Sequence, residues 1–286
     1  MSGFLEALGE KLADRWLALL VLPGALYCAT AVVAVTLRQA HAVDVGLLGR
    51  RVSKWVAEPI ASSTAGQIEL AVVALAAAAA AGLAAHGLGR LIEAAGLAAD
   101  WADWPQPFRA AARRQAARRL RRWDVLDASY KARRLEAAAA RAAGRQVDAE
   151  ERQAAFRRRS RTAELTPRRP TWSGDRIEAV ESRLRSELSV DLAREWPVVW
   201  LSAADAVRTE IGAARDAMSR AAVLGGWAVL YAVLTYWWSP ALAIALCTAL
   251  AARFNFRSAV DVYAQLVEAA VRISRAPAPD GKSEHA

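Results

Sequence analysis

Residues 221–252 read AAVLGGWAVLYAVLTYWWSPALAIALCTALAA and contain no charged side chain. A core helix of a water-soluble protein normally keeps one polar face, whereas a charge at the centre of a membrane helix costs roughly 2.5–3.5 kcal/mol. The stretch therefore predicts an integral membrane protein. As a single helix it would extend about 48 Å, which exceeds the roughly 30 Å hydrocarbon layer of a bilayer.

The pair Ser239-Pro240 offers a turn within this stretch. A residue that precedes proline avoids the helical conformation, and proline cannot donate the next helical hydrogen bond. We therefore predict a transmembrane hairpin over residues 221–257 that turns at 239–240, with the aromatic residues 236–238 at the far interface. Because the returning arm is short, a re-entrant hairpin is the alternative.

Two apolar runs precede the hairpin, at about residues 16–37 and 70–88, and each is long enough to cross a bilayer. They predict an N-terminal transmembrane pair within residues 1–97. A secretory signal peptide cleaved after Ala29-Thr30-Ala31 is the alternative for the first run. The run continues past that site, which favours an uncleaved anchor.

Small residues recur every fourth position in the second run, at Ala77, Ala81, Ala85 and Gly89. Small side chains at this spacing allow another helix to approach closely, so we predict a helix-packing face. His86 lies beside it. Its functional interpretation is a proton or ligand site, and the favoured interpretation is an interfacial histidine that bonds to the backbone or to a lipid headgroup.

Basic residues are distributed unevenly along a chain whose net charge is +9. Residues 90–220 contain 27 Lys and Arg, whereas the loop at residues 38–67 contains four. Because cytoplasmic loops carry the excess of Lys and Arg, we predict a cytoplasmic segment at residues 98–220 and both termini inside a bacterial plasma membrane. The expected fold class is all-α, with four transmembrane helices as two pairs and a helical, arginine-rich cytoplasmic domain inserted between them.

A basic amphipathic helix is predicted directly after the second run, in the sequence FRAAARRQAARRLRRW at residues 108–123. Each Arg near an anionic inner leaflet contributes about 1 kcal/mol. The predicted anionic-lipid contacts are Arg109, Arg113, Arg114, Arg118, Arg119, Arg121 and Arg122. A solvated face packed on neighbouring helices is the alternative, and nucleic-acid binding is not expected because no recognition motif accompanies the helix.

The remaining segments are also read as helical. An apolar stripe at Ile177, Val180, Leu184 and Leu188 predicts one helix. Ser202 is predicted to cap a long helix that continues into the hairpin. Residues 145–169 have few core-forming side chains and are either partly disordered or a helical arm that folds against a partner. Residues 258–286 predict a cytoplasmic amphipathic helix followed, from residue 276, by a flexible tail.

Three stretches carry a resemblance to known proteins: RPTWSGDRIEAVESRL at residues 169–184, DLAREWPVVWL at 191–201 and GGWAVLYAVLTYWWSPA at 225–241. Over about the last third of the chain they resemble a group of uncharacterised multi-pass membrane proteins of high-GC Gram-positive bacteria, which has no assigned activity. The resemblance implies a bacterial membrane protein and supplies no catalytic residue.

No nucleotide-binding, zinc-protease or serine-hydrolase motif is present, and the three histidines are far apart in the sequence. We therefore expect no enzyme activity, no catalytic or metal-binding residue and no cofactor. The expected function is a membrane-anchored scaffold or interaction protein that contacts anionic lipid headgroups and protein partners or its own copies. A subunit of an oligomeric channel or transporter is the alternative.

Overall fold

The computed structural model describes residues 21–42, 44–57, 63–145 and 149–275. These residues contain helices and no β-strand, which confirms the all-α class. A short 3-10 helix lies at Trp101–Asp103. The α-helices are α1 (Leu22–Leu37), α2 (Val45–Val56), α3 (Thr64–Leu97), α4 (Phe108–Ala142), α5 (Ala149–Thr162), α6 (Trp172–Leu188), α7 (Leu192–Ser202), α8 (Asp205–Leu234) and α9 (Pro240–Arg275).

The chain divides into two compact units. Unit 1 contains residues of Met1–Ile92 and Ser219–Phe254, and unit 2 contains residues of Glu93–Met218 and Asn255–Ala286. Helices α3, α8 and α9 each contribute residues to both units. The predicted start of the first span, at residues 16–20, and the predicted tail at 276–286 lie outside the described residues.

Unit 1 is held together by aromatic and small residues of α3, α8 and α9. Its core contains Ala85, Trp227, Tyr231 and Ala241. Tyr27 of α1 packs edge-on against Tyr231, with ring centroids 5.5 Å apart. The aromatic rings fill the space beside the small residues, and the helices pack closely as a result.

The charge-free stretch is broken at the predicted point. Helix α8 ends at Leu234 and α9 begins at Pro240. Proline suits the first position of a helix, where a backbone N–H would have no helical partner. The predicted break at Ser239-Pro240 is therefore confirmed, although α9 runs on well beyond residue 257.

Unit 2 has a separate aliphatic core. Val180 and Leu184 of α6 are buried there together with Ile211 of α8 and Val271 of α9. The predicted apolar stripe of α6 faces this core, because Ile177 and Leu188 also pack against it. Burial of each large aliphatic side chain contributes about 1.5–3 kcal/mol.

The predicted N-cap role of Ser202 is wrong. Ser202 is the last residue of α7, and its hydroxyl donates to the carbonyl oxygen of Val198 at 2.9 Å. A serine hydroxyl can bond back to the preceding turn as well as forward to a new helix. Helix α8 begins instead at Asp205 and then continues without a break to Leu234, as predicted.

Candidate functional site

Unit 1 exposes apolar side chains along its long helices. Helices α3 and α8 are long and apolar enough to cross a membrane, and α1 is a shorter apolar helix. Only 17% of the most apolar part of α3 is buried, against 50% for α8. The exposed aliphatic side chains of α3 are Ile68, Leu70, Val72, Val73, Leu75, Leu83 and Leu91. A soluble core helix would bury such residues.

Close helix contacts in unit 1 depend on small residues. A Cβ atom at Gly226 of α8 would lie 2.2 Å from the carbonyl oxygen of Ala85, and one at Gly24 of α1 would lie 2.0 Å from that of Ala78. Both positions admit only glycine at this backbone separation, because real Cβ contacts are never so short. Helix α3 therefore contacts α1 and α8 at backbone distance.

The predicted packing face of α3 is rotated in the structure. Ala85 and Gly89 are buried, Ala81 is half-buried and Ala77 is exposed. Ala78 and Gly82 are buried in addition. An α-helix has 3.6 residues per turn, so residues spaced exactly four apart move gradually around its surface. The buried side of α3 therefore passes from one small residue to a neighbouring one along the helix.

His86 bonds to the backbone of its own helix. Its Nδ1 atom lies 2.9 Å from the carbonyl oxygen of Gly82. Because a carbonyl only accepts, Nδ1 carries the proton in this contact. The backbone contact agrees with the favoured sequence interpretation, whereas the location of His86 at a membrane interface stays a prediction.

The two turns at one end of unit 1 are bonded to each other. Gln39 Nε2 donates to the carbonyl oxygen of Thr235 at 2.9 Å, and Gln39 Oε1 accepts from the backbone N–H of Ser239 at 3.0 Å. Trp238 Nε1 donates to the carbonyl oxygen of Ala42 at 2.7 Å. These bonds satisfy polar groups of the two turns, which lie outside the helices and have no helical partner.

The seven predicted lipid-contacting arginines fall into two groups in the structure. The exposed group contains Arg113, Arg114, Arg118, Arg121 and Arg122, whereas Arg109 and Arg119 are half-buried. At about 100° per residue, Arg114, Arg118 and Arg121 lie on the side of α4 opposite its buried residues. A cationic outward face is therefore available on α4.

Arg119 points into unit 2 instead. Its Nη2 donates to Asp175 Oδ2 at 2.6 Å and to the carbonyl oxygen of Thr162 at 2.9 Å. Asp175 also accepts the backbone N–H groups of Arg168 and Arg169, at 2.8 and 2.7 Å. The side chains of Arg119 and Asp175 are 15% and 8% exposed. Arg119 holds the loop before α6 and is not free for lipid.

Arg159 of α5 makes a second internal contact with α4. Its Nη1 lies 3.2 Å from Asp127 Oδ1, and its guanidinium lies 5.5 Å from the ring centre of Trp123 and 5.2 Å from that of Tyr130. Cation–π contacts of this kind add to an ion pair that is partly shielded from water. The segment at residues 145–169 thus contains a helix that packs on α4.

A line of ion pairs joins α6 to α9 within unit 2. Arg176 bonds to Asp261 at 2.6 Å, Arg183 to Glu268 at 2.7 Å, and Arg272 to Glu187 at 2.6 Å; each pair is separated by 85 residues. A constant separation means that the two helices run in the same direction. Arg176 and Arg183 are one heptad apart, as in parallel coiled coils.

These ion pairs shift the ionisation of Glu268. Its hydrogen bond with Arg183 holds the pKa of Glu268 below its ordinary value, against the opposing effect of burial. The same bond raises the pKa of Arg183. Both groups are therefore charged at neutral pH, and the pair favours the folded unit.

A cavity of about 330 Å³ in unit 2 is lined by charges of both signs, including Arg168, Arg169, Arg185, Glu178 and Glu181. Arg169 Nε lies 3.0 Å from Glu178 Oε2. Burial raises the pKa of Glu181, and the nearby Arg169 opposes this rise. The two carboxylates offset two of the three guanidinium charges, so the cavity carries no strong excess of either sign.

Sequence reasoning missed Asp127 and Asp175, which are the buried carboxylates among the described residues of unit 2. Within the described residues, no group of three His, Cys, Asp or Glu side chains is placed to hold a metal ion. Comparison of the chain with known protein families, curated proteins and solved structures found no match.

Proposed function

We propose that this protein is a membrane-anchored helical scaffold, with unit 1 in the lipid bilayer and unit 2 at the cytoplasmic face of a bacterial plasma membrane. The spans would be α1, α3, α8 and the apolar first half of α9, which places both termini inside. The observation that carries the proposal is the exposure of large aliphatic side chains on α3. Water would oppose that exposure by about 25 cal/mol for each Å².

Extraction of cell membranes tests the anchoring. The full chain, expressed in a bacterium, should remain in the membrane pellet after alkaline carbonate treatment and should enter solution only with detergent. A peripheral protein held by charge leaves the membrane under the same treatment. Release of the chain by carbonate would refute the proposal.

The outward face of α4 supports contact between unit 2 and anionic lipid. Arg114 and Arg118 are exposed there, and each arginine near an anionic leaflet contributes about 1 kcal/mol at low salt. A fluorophore on Ala117→Cys, in a chain without Cys28 and Cys247, should be quenched by doxyl lipids in phosphatidylglycerol nanodiscs.

The control for this experiment removes equal charge from the same helix. Changing Arg114 and Arg118 together to Gln should reduce the quenching, whereas changing Arg134 and Arg141 together to Gln should leave it unchanged. High salt should act like the first variant. Equal quenching in all three chains would contradict lipid contact by this face.

An exposed apolar face on α7 supports binding of a protein partner. Val198 and Leu201 of this helix are 68% and 76% exposed, beside the buried Val199. Apolar side chains grouped on one helix face are typical of protein contacts. Crosslinking in intact cells should yield a partner, or a second copy, that is lost with Val198→Ser and Leu201→Ser and kept with Val125→Ser on α4.

The channel alternative gains no support from α3. Ala85 is fully buried and lies in backbone contact with Gly226 of the same chain, so it does not line an opening between copies. We therefore retain the scaffold proposal.

A further inference from the structure

A groove of about 740 Å³ opens in unit 1 between the C-terminal half of α1 and helix α2. Its floor includes Val32 and Val35 of α1, and Trp55 of α2 lies at its side. All three are exposed, so the groove presents apolar surface that nothing in the described chain covers.

The rim of the groove is basic. Arg38, His41 and Arg51 line it, and the described residues of its lining include no carboxylate. The nearby Asp44 accepts the backbone N–H of Leu47 at 2.8 Å as the cap of α2. Among the described residues, the groove therefore combines positive charge that no lining carboxylate offsets with apolar side chains, which matches a ligand that is anionic at one end and apolar at the other.

Arg38 and His41 lie in the turn after α1. Hydrogen bonds of Gln39 and Trp238 join this turn to the turn between α8 and α9. These hydrogen bonds hold the turn, so Arg38 and His41 lie at the groove before any ligand arrives. Because this turn is already ordered, binding of a ligand loses less conformational entropy of the protein.

Arg38 occupies a backbone conformation that disfavours its side chain. Its φ of 51° lies in the left-handed region, and it ends α1 by donating its N–H to the carbonyl oxygen of Ala34 at 3.0 Å. Glycine is the usual residue at such a helix end. An arginine that lines the groove from such a backbone conformation is a reason to test whether its guanidinium has a role beyond the turn itself.

We propose that this groove binds an anionic glycerophospholipid. The phosphate would accept charge-assisted hydrogen bonds from Arg38 and Arg51, and one acyl chain would lie along Val32 and Val35. Trp55 would sit at the level of the glycerol, where aromatic side chains meet the membrane interface. This inference rests on the proposed membrane location of unit 1, because that location brings lipid to the groove.

Thermal unfolding of the delipidated full chain in detergent tests the proposal. Dioctanoyl phosphatidylglycerol should raise the Tm in a saturable way, since a ligand that binds the folded state stabilises it. Neither inorganic phosphate nor uncharged dioctanoylglycerol should do so. An equal rise with phosphate alone would indicate a simple anion site, and an equal rise with dioctanoylglycerol would indicate apolar adsorption; each result overturns the proposal.

Two variants of groove residues and one control variant at an adjacent residue test the location of the site. Arg38→Gly and Arg51→Gln should each weaken phosphatidylglycerol binding about tenfold, the factor expected for one charge-assisted hydrogen bond. Arg38→Gly should also keep or raise the Tm without lipid, because glycine relieves the strained turn, so lost binding cannot reflect misfolding. Arg50→Gln is the control, since Arg50 is the adjacent residue on α2 but does not line the groove.

The possible failures are distinguishable. Weakening by Arg50→Gln as large as that by Arg51→Gln, or unchanged binding in both groove variants, overturns the lipid site. A chain that resists carbonate extraction yet shows no lipid-dependent rise in Tm overturns this inference alone. A chain that carbonate releases overturns the proposed function as well.

Discussion

Individual glycines set how closely the helices of unit 1 approach each other. We predict that Gly226→Ala will lower the free energy of unfolding by about 1–3 kcal/mol, because its methyl group would meet the backbone of Ala85 and force the helices apart. Equilibrium unfolding of the full chain in detergent measures the change. Gly87→Ala on α3 is the matched control: apart from its chain neighbours and the backbone of its own turns, no described atom lies within 4 Å of an added Cβ, and helix propensity favours alanine by about 1 kcal/mol.

The ion pair of Glu268 predicts acid sensitivity of unit 2. Arg183 holds the pKa of Glu268 below its ordinary value of 4.5, so the folded state binds a proton less readily than the unfolded state. The resulting stability is fully present above that value and is lost as pH falls through the lower, folded pKa. Denaturant titrations at a series of acid pH values should show this loss.

Glu268→Gln should remove that acid-dependent loss and should lower stability at neutral pH by about 1 kcal/mol. Glu210→Gln, at an exposed position of α8, should change neither quantity. A Glu268→Gln chain that keeps the full acid sensitivity would show that other carboxylates cause it.

Glu181 should behave in the opposite sense. Burial raises its pKa, so the folded state favours the protonated carboxyl and the charged form opposes folding at neutral pH. Glu181→Gln should therefore raise the free energy of unfolding at neutral pH by about 0.5 kcal/mol, because the uncharged amide does not carry the desolvation cost of a half-buried carboxylate. The gain should shrink as pH falls through the raised, folded pKa and should be lost below 4.5, once the wild-type carboxyl is protonated in both states. A gain that is equal at both pH values would contradict this account.

The residues that sequence reasoning missed are those whose partners are distant in the chain. Thr171 caps α6, because its side chain accepts a hydrogen bond from the Gly174 N–H. Asp175 lies in the first turn of this helix, where an acidic residue is common for local reasons and does not indicate a distant partner. Its partner Arg119 lies 56 residues away. Nothing in a run of seven arginines distinguishes the one that turns inward, because that choice depends on tertiary packing.

Among the helices, α6 and α9 form the contact whose register is best defined. We predict that Arg183→Glu will lower the free energy of unfolding by about 2 kcal/mol, because it removes an ion pair and sets like charges together. The exchange Arg183→Glu with Glu268→Arg should restore about half of the loss. Recovery stays partial because Arg183 also pairs with Glu164.

A double-mutant cycle on these two positions measures the coupling. The comparison cycle uses Arg133 and Glu136, an exposed pair on α4, for which a coupling of about 0.3 kcal/mol is expected. A coupling between Arg183 and Glu268 no larger than this would show that their ion pair does not stabilise the contact of α6 with α9.

Helix boundaries were predictable where a strong local signal exists and not elsewhere. Pro240 fixes the start of α9, and the apolar stripe of α6 identifies its buried face. Residues 145–169 gave no such signal, because α5 contacts α4 through Phe156 and Arg159 and not through an aliphatic stripe. An aromatic and cationic contact of this kind leaves no periodic trace in the sequence.

For the molecule as a whole, the proposed topology predicts which residues a membrane-impermeant maleimide reaches. In a chain with Cys28→Ala and Cys247→Ala, Ser53→Cys on α2 should be labelled in intact cells, because the loop between the first two spans would be external. Ser186→Cys on α6 should be labelled only after the cells are opened. Both serines are exposed in the structure, so burial does not prevent the reaction.

Labelling of Ser186→Cys from outside would invert or refute the topology. Equal labelling of both cysteines in intact cells, with an intact cytoplasmic marker protein, would show that unit 2 is not cytoplasmic. The charge distribution predicts the sidedness, but the number of spans depends on how α1 and the first half of α9 lie in lipid.

The parallel pairing of α6 with α9 affects how the chain is made. Val180 and Leu184 emerge from the ribosome well before Ala264 and Val271, which complete the same core. Translation proceeds at about 5–20 residues per second. The apolar side chains of α6 therefore stay exposed for several seconds, until α9 has been translated. Premature termination after residue 255 would leave this apolar face of α6 permanently exposed. We expect chaperones and proteases to bind such a product.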